Sequence, residues 1–141
     1  MFRTSFIVYG TPVAKGRPKF RRTGNFVRTY TPAKTKTYET DVALVAKKAM
    51  GDQEPLETPI VVAIYIRLPI PASYSKKRRK DCLEGIERPL KKPDADNVAK
   101  AVTDAMNGIA YVDDCQIVSM HITKVYAETP AVQVFISEEL P

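Results

Sequence analysis

Five aspartates, Asp94, Asp96, Asp104, Asp113 and Asp114, fall within 21 residues of a 141-residue chain. Carboxylates gathered in one place repel, push one another's pKa upward and cost stability unless a cation sits among them. Hard oxygen ligands without His or Cys favour Mg²⁺, Mn²⁺ or Ca²⁺ over zinc. Mg²⁺ on a few carboxylates, with positions open for water and phosphate, is the usual arrangement for phosphoryl transfer. Lys100 follows Asp96 by four residues, so on a helix the two share a face. From there its ammonium could contact a scissile phosphate, orient the attacking water or only relieve local repulsion.

The elements around these residues must bring them together. Lys92-Pro93-Asp94-Ala95-Asp96-Asn97 precedes a helical stripe of Val98, Ala101, Val102, Ala105 and Met106, read as a helix over Asn97 to Asn107 and closed by Gly108. Proline biases Lys92 towards extended backbone, and extension through Asp94 and Asp96 would aim both carboxylates to one side. Asp113-Asp114 close the following turn and open the next strand. A helix of about 12 residues is roughly 18 Å long, so Asp114 reaches Asp94 only if that strand begins beside the helix N-terminus. Plainer roles exist for each residue taken alone. Asp96 suits a helix N-cap, Asp113-Asp114 a turn, and Asp104 a surface ion pair with Lys100. His121 reads as structural, and Cys115 as a buried thiol with no basic partner to activate it. Together, the paired DxD, the lysine and the later DD outweigh those separate readings.

The rest of the chain supplies a scaffold. Phe6–Tyr9 reads as a strand, and Phe20–Arg22 and Phe26–Tyr30 as a hairpin around Thr23-Gly24-Asn25. Thr31-Pro32 starts a helix through Tyr38, Val42, Val45 and Ala49 that stops at Gly51. Ile60–Leu68 is a Val/Ile-rich central strand, ended by Pro69 and Pro71. Ser75 caps a short helix through Lys76–Lys80 to Leu83. Gln116–Tyr126 alternates, with Val118, Met120 and Ile122 on one face, and Val132–Ile136 is the last strand. The order predicts an α/β (α+β) fold, a mixed β-sheet with helices packed on it, in one domain spanning residues 1–141.

Charge is unevenly distributed. Residues 1–92 hold 20 Lys/Arg and 8 Asp/Glu, whereas residues 93–141 hold 2 and 8. A basic surface beside a compact acidic cluster suits a polyanion partner. Lys15, Arg17, Lys19, Arg21 and Arg22, with Phe20 and Phe26 interleaved, form one basic arm, and Lys76, Lys77, Arg78 and Arg79 a second. Lys92 leads directly into the carboxylates. Such charges grip phosphates and predict steep salt dependence; a solvated helix face is the plainer reading of the KKRRK run.

Composition excludes several classes. Hydrophobic residues make up 44% and charged residues 27%, which rules out wholesale disorder and fibrous repeats. Area scaling predicts a folded surface of about 7,300 Å², enough burial for a real core. No apolar run approaches a membrane span, and the N-terminus lacks a signal-peptide cleavage site, so a soluble, intracellular protein is expected. Two cysteines make no disulfide framework.

KPDADNVAK (Lys92–Lys100), then Asp104-Ala105, Gly108 and Asp113-Asp114-Cys115-Gln116, resembles the RusA family of Holliday junction resolvases. That family shows a DxDN-x-x-K segment, a following D-A and a D-D-x-Q at closely similar spacing. The N-terminal KGRP and YTP-x-K-T segments resemble its Gram-positive and prophage branch. The resemblance implies a dimeric, Mg²⁺-dependent cytoplasmic endonuclease (Mn²⁺ being an alternative ion) that makes paired nicks in four-way DNA junctions, with no organic cofactor. Carried over by position, Asp94, Asp96 and Asp114 match its catalytic metal ligands, Lys100 its catalytic lysine and Asp113 an acidic neighbour. Pro93 stands where the family has a basic residue, displaced here to Lys92. The rival reading from another class is a catalytically inactive, basic DNA- or RNA-binding module of prophage origin. A restriction-type nuclease lacks support, because no acidic-x-lysine element follows Asp113-Asp114.

Overall fold

In the computed structural model, which describes residues 2–16, 19–30 and 32–139, the chain runs β1 (Arg3–Tyr9), β2 (Lys19–Thr23), β3 (Phe26–Tyr30), α1 (Ala33–Met50), β4 (Ile60–Pro69), α2 (Lys76–Leu83), α3 (Ala95–Ala105), β5 (Ile117–Ala127) and β6 (Ala131–Glu138). A short 3-10 turn, Asp114–Gln116, precedes β5. The element order and the α+β class agree with the sequence. Four strands form one mixed sheet in the order β1-β6-β4-β5, and β2 and β3 form a separate hairpin. β6 runs antiparallel to both its neighbours, and β5 runs parallel to β4. Parallel neighbours need a crossover. The segment carrying α2 and α3 is that crossover, which is how the carboxylate-rich helix comes to lie against the sheet.

The Val/Ile run of β4 alternates in burial even though its sequence does not. Ile60, Val62, Ile64 and Ile66 are fully buried beneath the helices, while Tyr65 on the other face is 40% exposed. α1 buries Tyr38, Val42, Ala46 and Met50, and α3 buries Val98, Ala101, Val102 and Ala105. A fully buried valine contributes about 1.5–3 kcal/mol relative to exposure. Val98 and Val102 therefore fix which way α3 faces, and its polar stripe is turned outward.

Among the described residues, no helix or strand covers the opposite sheet face. Register places Ser5, Phe135, Ala63 and His121 in one row across it, and Ile7, Gln133, Tyr65 and Thr123 in the next. Tyr65 and Phe135 meet edge to face at 5.8 Å and 86°. The accessible surface, 9112 Å², exceeds the roughly 7,300 Å² that mass scaling gives. The open sheet face and the projecting hairpin, with Phe20 and Phe26 about three-quarters exposed, account for the direction of that excess.

Several local expectations are corrected. The hairpin connection is two residues, since Thr23 pairs directly with Phe26, and Gly24 takes the positive φ of 62° that the first position of a type II′ turn requires. Helix α3 starts at Ala95, not Asn97, so Asp94 and Asp96 do not lie on one extended segment. Met120 and Ile122 do face the helix side, opposite Val62 and Ile64, but β5 is an edge strand and Met120 stays 39% exposed. Cys115 is exposed rather than buried. The proposed cap Thr31 lies outside the described residues, and Pro32 occupies the N-cap position of α1.

Candidate active site

Asp94 is the N-cap residue of α3, but its side chain makes no capping hydrogen bond. Its backbone is extended (φ −70°, ψ 138°), and its carbonyl accepts the first helical bond, from Val98. The carboxylate is exposed and free of that duty. Asp96, expected as a cap, sits instead in the first helical turn, where the helix dipole favours an anion. Asp96, Lys100 and Asp104 follow at four-residue steps, so acid, base and acid form one stripe opposite the buried valines.

The lysine engages the far end of that stripe. Lys100 Nζ donates to Asp104 Oδ1 at 2.9 Å and lies 4.0 Å from Asp114 Oδ2. Lys15 Nζ approaches Asp104 Oδ2 at 3.3 Å and pairs more closely with Glu39 of α1. The hydrogen bond that Lys100 donates to Asp104, opposed by the lesser effect of burial, leaves its ammonium more basic than usual. Burial alone would raise the Asp104 carboxyl, but Lys100 first, then the contacts with Asp114 and Lys15, outweigh it and hold the group below the usual range. Asp114 moves the other way: burial first, then contact with Asp104, raises it against the attraction of Lys100. An acidic pair bridged by a lysine is thus the centre of the described site.

Asp114 meets α3 at its second and third turns rather than at its N-terminus. Asn107 sets this position, its Oδ1 accepting the Asp114 backbone N–H at 2.8 Å. Gln116 fixes the next residues: its Oε1 accepts from the Asp113 N–H at 2.9 Å, and its Nε2 donates to the carbonyls of Leu56 and Thr58. Asp113 therefore opens the 3-10 turn, and its carboxylate raises the Cys115 thiol, which argues against thiolate chemistry there. Asp96 lies about 12 Å along the helix axis from Asp104. Among the described residues, no three His, Cys, Asp or Glu side chains gather closely enough to hold a metal ion. Asp104, read from sequence as a surface ion pair, does form that pair but also joins Lys15 and Asp114. Lys15, read as a phosphate contact, is engaged by two carboxylates.

The basic arms separate into free and occupied charges. Arg21 and Arg22 are exposed on the projecting hairpin. Arg17 and the side chain of Lys19 lie outside the described residues. Lys76, Lys77 and Lys92 are exposed, and Arg79 is partly buried. Arg78 is occupied: its Nε and Nη2 reach Glu87 at 2.7–3.0 Å, and its guanidinium lies 3.6 Å over the Tyr74 ring. The hydrogen bonds from Arg78 hold the Glu87 carboxyl below the usual range. A depressed folded pKa stabilises the fold above the unfolded pKa and loses that contribution as pH falls through the folded value. Glu87→Gln is therefore expected to melt below the wild type at neutral pH, with the gap closing below pH of about 4. Calorimetric melting across that range checks it; a gap independent of pH would remove the ion pair as its cause.

Comparison with known proteins gives the chain relatives. The family model described as endodeoxyribonuclease RusA matches residues 9–137. The chain is also 39% identical over 135 residues to the uncharacterized protein YqaN of Bacillus subtilis (strain 168), covering 94% of each chain.

Proposed function

The chain belongs to the RusA endodeoxyribonuclease family, and from that membership we propose that it is a Mg²⁺-dependent, structure-selective nuclease that resolves four-way DNA junctions in recombination and repair. The observation that carries the reading is the Lys100 ammonium held between Asp104 and Asp114 on the outward face of α3. A fixed positive charge beside carboxylates, on a helix anchored by buried valines, is suited to a phosphodiester and not to a neutral substrate.

The donor chemistry, carboxylate oxygen alone, suits a hard divalent cation, although among the described residues Asp94 and Asp96 do not gather with Asp114 into one cluster. Asp94 has an exposed carboxylate unused in capping, and Asp114 carries repulsion from Asp104 that a cation would relieve. In this reading Asp94, Asp96 and Asp114 hold Mg²⁺ or Mn²⁺, with Asp113 as their neighbour. The ion, when bound, would supply Lewis-acid polarisation of the phosphate and activation of water. Lys100 then offers charge to the phosphoryl oxygens, and Asp104 orients Lys100. The hairpin contributes binding. Arg21 pairs directly across from Arg28, a like-charge juxtaposition that costs stability unless an anion lies against it.

Paired nicks on a symmetric junction require two sites, and each chain carries one, so the working unit is a homodimer. The open sheet face, centred on Tyr65 and Phe135 with neither lysine nor acid in their two rows, has the charge-poor aromatic make-up of an interface core. Sedimentation is expected to give a dimer for the wild type and a monomer for Phe135→Glu; a wild-type monomer that still cuts both strands in one complex defeats this. No helix among the described residues is long and apolar enough to cross a membrane. The reading places the enzyme in the cytoplasm, encoded by a bacterium or a phage.

A second reading, a basic nucleic-acid-binding module without catalysis, draws on the separation of Asp94 and Asp96 from Asp104 and Asp114. The deciding experiment incubates labelled four-way, flap and linear duplex DNA with Mg²⁺ or with a chelator. Mg²⁺-dependent cleavage of the junction is expected; binding of all three without cleavage of any would favour the module.

A further inference from the structure

Register across the sheet puts one lysine where an apolar side chain belongs. Val8, Val132, Ile66 and Lys124 form a single cross-strand row on the helix-covered face, between the row ending in Ile122 and the row ending in Tyr126. An inward ammonium is costly unless hydrogen-bonded. Lys124 Nζ donates to the carbonyl of Lys91 at 2.8 Å and to that of Pro93 at 3.1 Å. The Pro93 carbonyl belongs to the peptide unit that delivers Asp94, the N-cap of α3. Arg88 approaches the same strand position from the other side of the segment, its Nε and Nη2 donating to the Lys124 carbonyl at 3.2 and 3.0 Å. As β5 is an edge strand, that carbonyl is open to take them.

We propose that Lys124 is a positioning residue that fixes the segment carrying Asp94 to the sheet. The segment between α2 and α3, residues 84–94, has no strand or helix of its own. A reacting group borne on such a segment must be held to within about 0.5 Å, which requires support from a rigid element. Lys124 supplies it from β5 through two donors on one ammonium, and Arg88 closes the staple in the reverse direction. An inward lysine serving only to discourage edge-to-edge pairing would point its charge at solvent rather than at two carbonyls of one loop. The inference about activity rests on the nuclease reading; the inference about the segment does not.

Lys124→Met keeps the aliphatic stem and removes the donors, whereas Lys124→Arg restores donors. In metal-free protein, exchange of the Val98 amide, whose acceptor is the Asp94 carbonyl, is expected to accelerate by about tenfold or more in Lys124→Met, with β4 and β6 amides unchanged. Single-turnover cleavage at saturating junction should fall by about 100-fold, the scale of an ångström-sized misplacement. Junction affinity should stay within about twofold, because the basic arms carry binding. Lys124→Arg should recover both the exchange protection and most of the cleavage. Unchanged exchange at Val98 in Lys124→Met overturns the proposal, and so does faster exchange spread evenly over the sheet. If the wild type cuts no junction, the nuclease reading fails and the exchange comparison alone still decides the role of Lys124.

Discussion

Asp94→Asn, Asp96→Asn and Asp114→Asn are each expected to abolish junction cleavage while junction binding survives. Loss of one ligand from a phosphoryl-transfer site costs about 3–5 kcal/mol of transition-state stabilisation, or two to four orders of magnitude in rate. Binding survives because the exposed arginines and lysines of the hairpin and α2 lie on other elements. Stability measurements separate the catalytic role from the plain ones. A capping aspartate replaced by alanine costs about 1 kcal/mol. Asp94 makes no side-chain cap, so Asp94→Ala should melt with the wild type and still be inactive. Asp114→Asn removes a carboxylate that burial first, and then Asp104 beside it, penalise in the charged form, so its melting temperature should hold or rise. Cleavage at near wild-type rate in any of the three would remove that residue from the site.

The sequence carried the scaffold because its signals are local. Ser75 was legible as a cap, and its hydroxyl does accept from the Arg78 N–H at 3.2 Å. Gly51, Gly85 and Gly108 all take the positive φ that their places after helices demand. Local geometry also made the Lys100–Asp104 pair visible, since four-residue spacing suffices. What lay beyond reach depended on the crossover. Lys15 and Asp104 are 89 positions apart in sequence, and the docking of the loop after β1 on α3, where the Lys15 N–H donates to the Asn97 carbonyl at 2.8 Å, makes them neighbours. Without that contact, Asp104 reads as a surface residue and Lys15 as a free phosphate grip. Arg78 was misassigned for a related reason. A run of five basic residues looks uniform, but Glu87 lies nine positions beyond Arg78 and selects it alone. Lys124 did leave a signal: Met120, Ile122, Lys124 and Tyr126 alternate onto one face, and the lysine breaks the apolar series. A charged residue at an inward position of a strand asks what satisfies it. The answer, two carbonyls just before Asp94, was not in the alternation itself.

Lys100→Ala is expected to lower turnover by about two to three orders of magnitude, the effect of removing one transition-state donor. The side chain cannot owe its place to packing, because its stripe lies opposite Val98, Ala101 and Val102, and it is 59% exposed. Its ammonium is held by Asp104 and faces Asp114, and the raised pKa keeps it protonated at neutral pH. It pairs with Asp104 in preference to Asp96, so the charge sits at the end of the helix where Asp114 arrives. A surface ion pair and nothing more would be worth under about 1 kcal/mol of stability and would leave cleavage untouched. Asp104→Asn sharpens the distinction. It leaves Lys100 in the chain but removes the partner that aims it, so turnover should fall by less than in Lys100→Ala. Junction affinity should change little in either variant, because phosphate contacts elsewhere dominate binding. Single-turnover cleavage and binding measured on the same samples decide the matter: undiminished cleavage by Lys100→Ala would end its catalytic role, and equal losses in both variants would mean that Asp104 does more than orient the lysine.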